Sequence, residues 1–281
     1  MPPADRLLPA LRAAAVQSRA TPGRVGHLVH LTGAAEVLVA GDLHGHVPHF
    51  AAVHKAADLV NHPGRHLVLQ ELIHGPFRYP GGGDQSHRLV DLFAVLSGQF
   101  PGRVHYLPGN HELAQWTGRP VGKGDESCNL LFRRGVEAAY GADAPAVLAA
   151  YSELWRALPV AIRTPNAVFL SHTVLPSKSQ ALFSLSTLEQ PAFADADYAP
   201  GGVVYGLLWG RDTSAATVAA FLRKVDSDLL VTGHIPTEAG WAAPNDQQLV
   251  VDCAETPAAF VRFPADRPLT HRELVAGVQV V

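Results

Sequence analysis

Cysteine is scarce in this chain. Only Cys128 and Cys253 occur among 281 residues, far apart and in no Cys-x-x-Cys spacing, which excludes a disulfide framework and a thiolate zinc site. That usage fits a reducing cytoplasm. Charge of one sign is scarce too: the formal net charge is −3, too small to drive the chain toward nucleic acid or anionic lipid, so neither is expected as a partner. No run approaches the roughly 20 apolar residues that would span a bilayer. The first twenty residues are Ala- and Arg-rich, but Pro9 and Arg12 interrupt any signal-peptide core, and the stretch reads as an N-terminal helix. An organelle transit peptide would share this acid-poor composition. There is no internal repeat, coiled coil or low-complexity tract, and the stretch from 264 onward carries no readable function.

What is present is ample apolar material, 47% of the residues, enough for one large α/β domain or two small ones. Short apolar runs stop abruptly at polar residues: EVLVAGD (36–42), HLVLQE (66–71), VHYLPGN (104–110), AVFLSH (167–172) and DLLVTGH (228–234). These buried-looking strands alternate with helix-like stretches near 47–60, 86–98 and 214–225, the pattern of an α/β fold. Residues 125–158 have apolar positions at helical spacing, with Gly135 and Gly141 as breaks, and predict a helical insertion. Residues 176–202 predict a long loop near an active-site mouth, and PFRYPGGGD (76–84) a mobile one.

Each strand-like run ends on or beside a residue that binds hard metals. In α/β folds functional groups gather beyond the C-terminal strand ends, and a metal pair needs a bridging carboxylate with Asp, His and Asn ligands on either side. Asp42 and His44 in GDLHG can reach one ion, with Gly41 and Gly45 keeping the backbone close; taken alone, Asp-x-His is more often a surface turn. In GNHE (109–112), the Asn110 amide oxygen is a ligand candidate and His111 projects toward substrate, or Asn110 merely caps a helix. His172 and His234 are ligand candidates or satisfied strand-end histidines.

Taken together, GDLHG, PGNHE, DESCNLLFRR, SELWRALPVAI before VFLSH, YGLLWGRD and FLRKVDSDLLVTGH resemble, in order, the landmarks of the calcineurin-like metallophosphoesterases, specifically the phosphoprotein phosphatase branch. The resemblance covers about 36–263 and implies a single α/β domain over 1–281, built as a β-sandwich flanked by α-helices. It implies two metal ions (Mn, Fe or Zn), with Asp42, His44 and Glu71 on one and Glu71, Asn110, His172 and His234 on the other. The implied activity is hydrolysis of a phosphorylated substrate, a phosphoprotein or a small phosphoester, with His111 as general acid. The second motif departs from the family: Gln70-Glu71-Leu72-Ile73-His74-Gly75 replaces Gly-Asp-x-x-Asp-Arg. Glu71 keeps the bridging carboxylate, His74 stands where a carboxylate would orient the catalytic histidine, and Gly75 replaces a phosphate-binding arginine. The compensating phosphate contacts are expected from Arg211, whose alternative is an ion pair with Asp212 or another surface carboxylate, from Arg78, and from a protonated His74. Dinucleoside polyphosphate hydrolysis and a metal-retaining binding protein are the competing functions.

Overall fold

The computed structural model describes residues 3–123 and 126–281; Asp125, where the expected helical insertion opens, lies outside them, as do Met1 and Pro2. Two sheets are stacked face to face. One runs in the order β14 (Val278–Val280), β13 (Ala259–Pro264), β3 (Glu36–Asp42), β4 (Arg65–Gln70) and β5 (Val104–Leu107). The other runs β1 (Arg24–Val25), β2 (Leu28–His30), β8 (Ala161–Arg163), β9 (Val168–Ser171), β10 (Leu229–Thr232), β12 (Gln248–Val251) and β11 (Trp241–Asn245). A separate hairpin pairs β6 (Gly122–Lys123) with β7 (Glu126–Ser127). The strand-like runs that end near candidate ligands are parallel within their own sheets, β3 with β4 and β5, and β9 with β10.

The period-2 alternation of each buried strand divides its side chains between two cores. Val37 and Val39 of β3, Val68 of β4, Val168 and Leu170 of β9 and Val231 of β10 interdigitate between the sheets. Leu38 and Ala40 of β3, with Leu67 and Leu69 of β4, face the other way, toward α1 (Ala4–Arg19), α2 (Val47–Ala57) and α3 (His87–Gln99). Phe169 and Leu230 face a third core beneath α8 (Val203–Trp209) and α9 (Ala215–Lys224). The result is a β-sandwich with helices on both outer faces. Among the described residues, no helix is long and apolar enough to cross a membrane.

The 125–158 region forms two helices, α5 (Cys128–Tyr140) and α6 (Ala144–Ala157), which share the first core with α1. Gly141, at φ +53°, ends α5, but Gly135 does not break it. A Cβ there would lie 1.7 Å from the Asp84 carbonyl oxygen, so Gly135 is needed for close approach of the 76–84 loop. That loop is therefore docked, with the Asp84 N–H donating to the Leu131 carbonyl at 2.9 Å and Gly83 against the α5 backbone. The 176–202 segment also differs from expectation. It is mostly irregular but contains α7 (Leu185–Leu188), buries Phe183 and Leu188 in the third core, and ties to the β1–β2 edge by a Glu189–His30 pair at 3.0 Å. The stretch after 264 supplies α10 (His271–Ala276) and the edge strand β14.

Candidate metal centre

The sheets converge at their C-terminal strand ends, where Asp42 bridges to Asp252. A Cβ on Gly41 would stand 2.0 Å from the Val251 carbonyl oxygen, so only glycine lets the two sheets approach here. Around this corner four site residues leave their strands in the left-handed region, His44 at φ +39°, Glu71 at +37°, His74 at +63° and His234 at +67°. Such conformations are unfavourable for side-chain-bearing residues and persist where tertiary contacts over-determine them. They re-aim each side chain at a common point.

Asp42, Glu71, His172 and His234 place one ligand atom each within 4.8 Å of one another, and all four are buried. A second set, His44, Glu71 and His111, meets the same distance limit and shares Glu71. The Glu71 Oε2 lies 3.3 Å from His44 Nε2 and 3.6 Å from His172 Nε2, while Oε1 accepts the His111 backbone N–H at 2.8 Å. The resemblance groups Asp42 with His44, but the geometry gathers it with His172 and His234: His172 Nδ1 is 3.5 Å from Asp42 Oδ1, and the His234 N–H donates to Asp42 Oδ2 at 2.8 Å. Asn110 Oδ1 sits 3.3 Å from His172 Nε2. Gly109 precedes the helix α4 (Asn110–Thr117), and its N–H is satisfied by the Glu112 carboxylate at 2.8 Å, so Asn110 is not the cap.

These donors fit a cation. Asp42 Oδ1, His172 Nδ1 and His234 Nε2 are buried without a hydrogen-bond partner among the described residues, and unsatisfied buried polar atoms call for an ion or water. Burial lowers His172 to about 4 and His234 to about 2, so both imidazoles are neutral and present lone pairs. Burial, then the Glu71 charge beside it, pushes Asp42 well above the ordinary carboxylate range, as happens when anions crowd without a countercharge. His44 donates Nδ1–H to the Ile73 carbonyl at 2.7 Å, the arrangement that orients a ligating imidazole. Backbone without side chains closes the cradle: a Cβ would meet Glu71 Oε1 at 2.1 Å from Gly109 and Asp42 Oδ1 at 2.2 Å from Gly233.

Residues 35–248 match the family described as calcineurin-like phosphoesterase. The chain belongs to that family. A probable serine/threonine-protein phosphatase of Encephalitozoon cuniculi is 27% identical over 240 residues, which cover 80% of this chain and 48% of that protein. The chain thus spans about half the length of that curated relative. A serine/threonine phosphatase of Saccharomyces cerevisiae shares the fold with a TM-score of 0.68 at 16% identity, over 100% of this chain and 89% of that one. A cold-active protein-tyrosine phosphatase of a psychrophilic Shewanella does so with a TM-score of 0.59 at 14% identity, over 92% and 82%. At these identities the structural likeness is one of calcineurin-like fold alone.

Within this family member a cleft of about 400 Å³ opens over the donors, lined by His111, Arg211, Glu238, Asp252 and Glu255 among others. Arg211 is exposed at its rim. The alternative pairing with Asp212 is absent, because the Asp212 carboxylate accepts from the Ser214 N–H at 3.0 Å and the Thr217 hydroxyl at 2.6 Å. Arg78 is placed elsewhere, donating to the Gly75 carbonyl and lying 3.8 Å from Asp84. The 176–202 segment contributes nothing to the cleft lining among the described residues. The His74 ring is buried, with Nδ1 2.8 Å from His111 Nδ1 and Nε2 2.9 Å from Gln115 Oε1. Burial, then the neighbouring His111, lowers it to about 3. With both ring nitrogens engaged behind His111, the His74 imidazole stands outside the cleft lining.

Two residues of α4 were missed. Glu112 accepts the Leu72 N–H at 2.9 Å, the Ile73 N–H at 3.2 Å and the Tyr106 hydroxyl at 2.6 Å, fixing the turn that carries Glu71 and His74. Gln115 holds His74. The signal for Gln115 was its position four residues after His111, one turn along the same helix face.

Proposed function

We propose that this protein is a metal-dependent phosphoester hydrolase, most nearly a phosphomonoesterase of the serine/threonine phosphatase type. The observation that carries the reading is the buried Glu71 carboxylate shared by two donor sets. Glu71 would bridge two ions, with Asp42, Asn110, His172 and His234 on one side and His44 on the other. When bound, such a pair supplies the Lewis-acid charge that makes water nucleophilic near neutral pH and neutralises phosphate oxygens. His111, at the cleft wall, donates a proton to the leaving oxygen, a role suited to imidazole because its ordinary pKa lies near the working pH. Arg211 binds the phosphate, since a guanidinium presents two parallel N–H groups to two oxygens. The serine/threonine phosphatase name of the Encephalitozoon relative favours a phosphorylated side chain as substrate.

The test is metal analysis after reconstitution with Mn, Fe or Zn, combined with hydrolysis of a generic aryl phosphate. About two ions per chain, with turnover lost to a chelator and regained on metal addition, are expected. No retained metal sinks the dinuclear reading, whereas two ions without turnover on a broad phosphoester panel would make the protein a binding module.

For Arg211, replacement by Ala is expected to lower kcat/KM by roughly 10- to 100-fold, matching the approximately 1.5–3 kcal/mol of a charged hydrogen bond. Lys should recover only part of this, chiefly through a raised KM, because a point charge does not reproduce the fork. Unchanged kinetics in Arg211→Ala would remove the residue from phosphate binding.

A further inference from the structure

We propose that Gln70 supplies an additional oxygen donor to the cation on the Asp42 side of the metal centre. The inference rests on the metal-binding reading of the site given above and adds a residue to it. Gln70 ends β4 on the face that points between the sheets, as Val68 does, and its side chain is fully buried. Across the parallel pair β3–β4 its Cα partner is Asp42, so the two side chains leave neighbouring strand ends toward the same corner. A Cβ on Gly233, beyond the end of β10 in the other sheet, would stand 2.2 Å from Asp42 Oδ1 and 3.4 Å from Gln70 Oε1. Both oxygens therefore face one point. Asp42 Oδ1, His172 Nδ1, His234 Nε2 and Gln70 Oε1 are all buried without a hydrogen-bond partner among the described residues, and the first three already belong to the candidate donors.

The other end of the amide fixes which atom faces the corner. Gln70 Nε2 donates to the Ala40 carbonyl at 3.4 Å, and turning the amide over would set Oε1 against that carbonyl, acceptor against acceptor. A buried amide oxygen without a partner costs stability, and a chain carries one where an ion or a water completes it. An ionised Asp42 has no proton to give, so a cation facing Asp42 Oδ1 completes both oxygens at once. The sequence departs here from the family pattern, in which a glycine precedes the bridging carboxylate and has no side chain to offer. With Gln70, the donors on that side are the Asp42 and Glu71 carboxylates, the Asn110 and Gln70 amide oxygens and the His172 and His234 imidazoles. Such an oxygen-rich set suits an octahedral ion such as manganese, whereas zinc is usually satisfied by four ligands. Gln70 thus biases this side toward manganese relative to zinc.

Calorimetric titration of the metal-free full chain with manganese alone and with zinc alone tests the assignment on the wild type, Gln70→Leu and Gln70→Glu. Leucine fills the space without a donor, and glutamate keeps an oxygen there. Gln70→Leu should weaken manganese binding by at least about tenfold, the lower end of what a metal site loses with a supporting partner, and zinc binding by less. Gln70→Glu should bind manganese more tightly than the wild type, because a charged oxygen replaces a neutral one. Melting gives a readout independent of activity. Without metal, Gln70→Leu should melt above the wild type, since an unsatisfied buried oxygen has been removed, yet its gain in Tm on adding manganese should be the smaller of the two. A lower metal-free Tm together with unchanged metal affinities would make Gln70 merely structural and overturns the proposal. If Gln70→Leu does not fold, Gln70→Glu decides: equal or weaker manganese binding than the wild type sinks the donor role. Equal manganese affinity in the wild type and Gln70→Leu removes Gln70 from the site and leaves the proposed function standing. Ions bound without turnover of any phosphoester remove the hydrolase, while the affinities still decide Gln70. No ion bound by the wild type sinks the dinuclear reading and this donor with it.

Discussion

Glu71→Ala is expected to release at least one metal ion per chain and to lower kcat by a factor of about a thousand or more. The magnitude follows from the several kcal/mol that a bound metal contributes to transition-state charge stabilisation, at a factor of ten for each 1.36 kcal/mol. Glu71 is 1% exposed and belongs to both donor sets, so its loss removes an anion from each and leaves the His111 N–H without its 2.8 Å acceptor. Glu71→Asp separates charge from reach. It restores the carboxylate usual in the family and should retain both ions. The side chain is one methylene shorter, however, while the Glu71 backbone and the Gly109 wall are placed for the longer residue, so a reduced kcat is expected. Metal content by elemental analysis, with circular dichroism as a fold control, reads both variants. Two ions and full turnover in Glu71→Ala would make Glu71 a bystander.

The second large effect is expected at His111. His111→Asn should lower kcat on an alkyl phosphate by roughly 10² to 10⁴, the range for losing one positioned proton donor, and much less on an activated aryl phosphate whose phenolate departs without help. Metal content should not change. That control decides between two roles, because a His111 ring nitrogen lies within 4.8 Å of donor atoms of His44 and Glu71. Loss of an ion in His111→Asn would make the residue a ligand, and equal losses on both substrates would make it a positioning group. Activity compared at several pH values keeps a shifted optimum from being mistaken for a lost step.

The placement of the candidate donors was legible because strand ends are visible in sequence. An apolar run such as VFLS or LLVT stops where the buried sheet stops, so the residue just beyond, His172 or His234, is placed by chain connectivity alone. His111 and Asn110 were legible for the same reason, one step later, at the first turn of the helix that follows β5. The docked 76–84 loop was not legible, because three consecutive glycines signal freedom locally. The partner that removes that freedom, the bare backbone at Gly135, lies on another helix. The 176–202 segment misled for a related reason: scattered Phe and Leu in a Ser- and Pro-rich stretch do not say which core they enter.

The sequence by itself determined the two-faced strands, their alternation with helices, and the kinds of metal donor that stand at their ends. Those features depend on neighbours in the chain and on side-chain period. Tertiary structure alone decided which candidate donors lie within 4.8 Å of one another, that Asp42 lies with His172 and His234, that Arg211 faces the cleft while Arg78 is tied to its own loop, and that the His74 ring is buried behind His111. Each of these depends on where two sheets, several turns and the helix α4 bring atoms far apart in the chain to within hydrogen-bond distance. At that range a left-handed φ or a missing Cβ changes which atoms meet, and residue type alone carries no record of it.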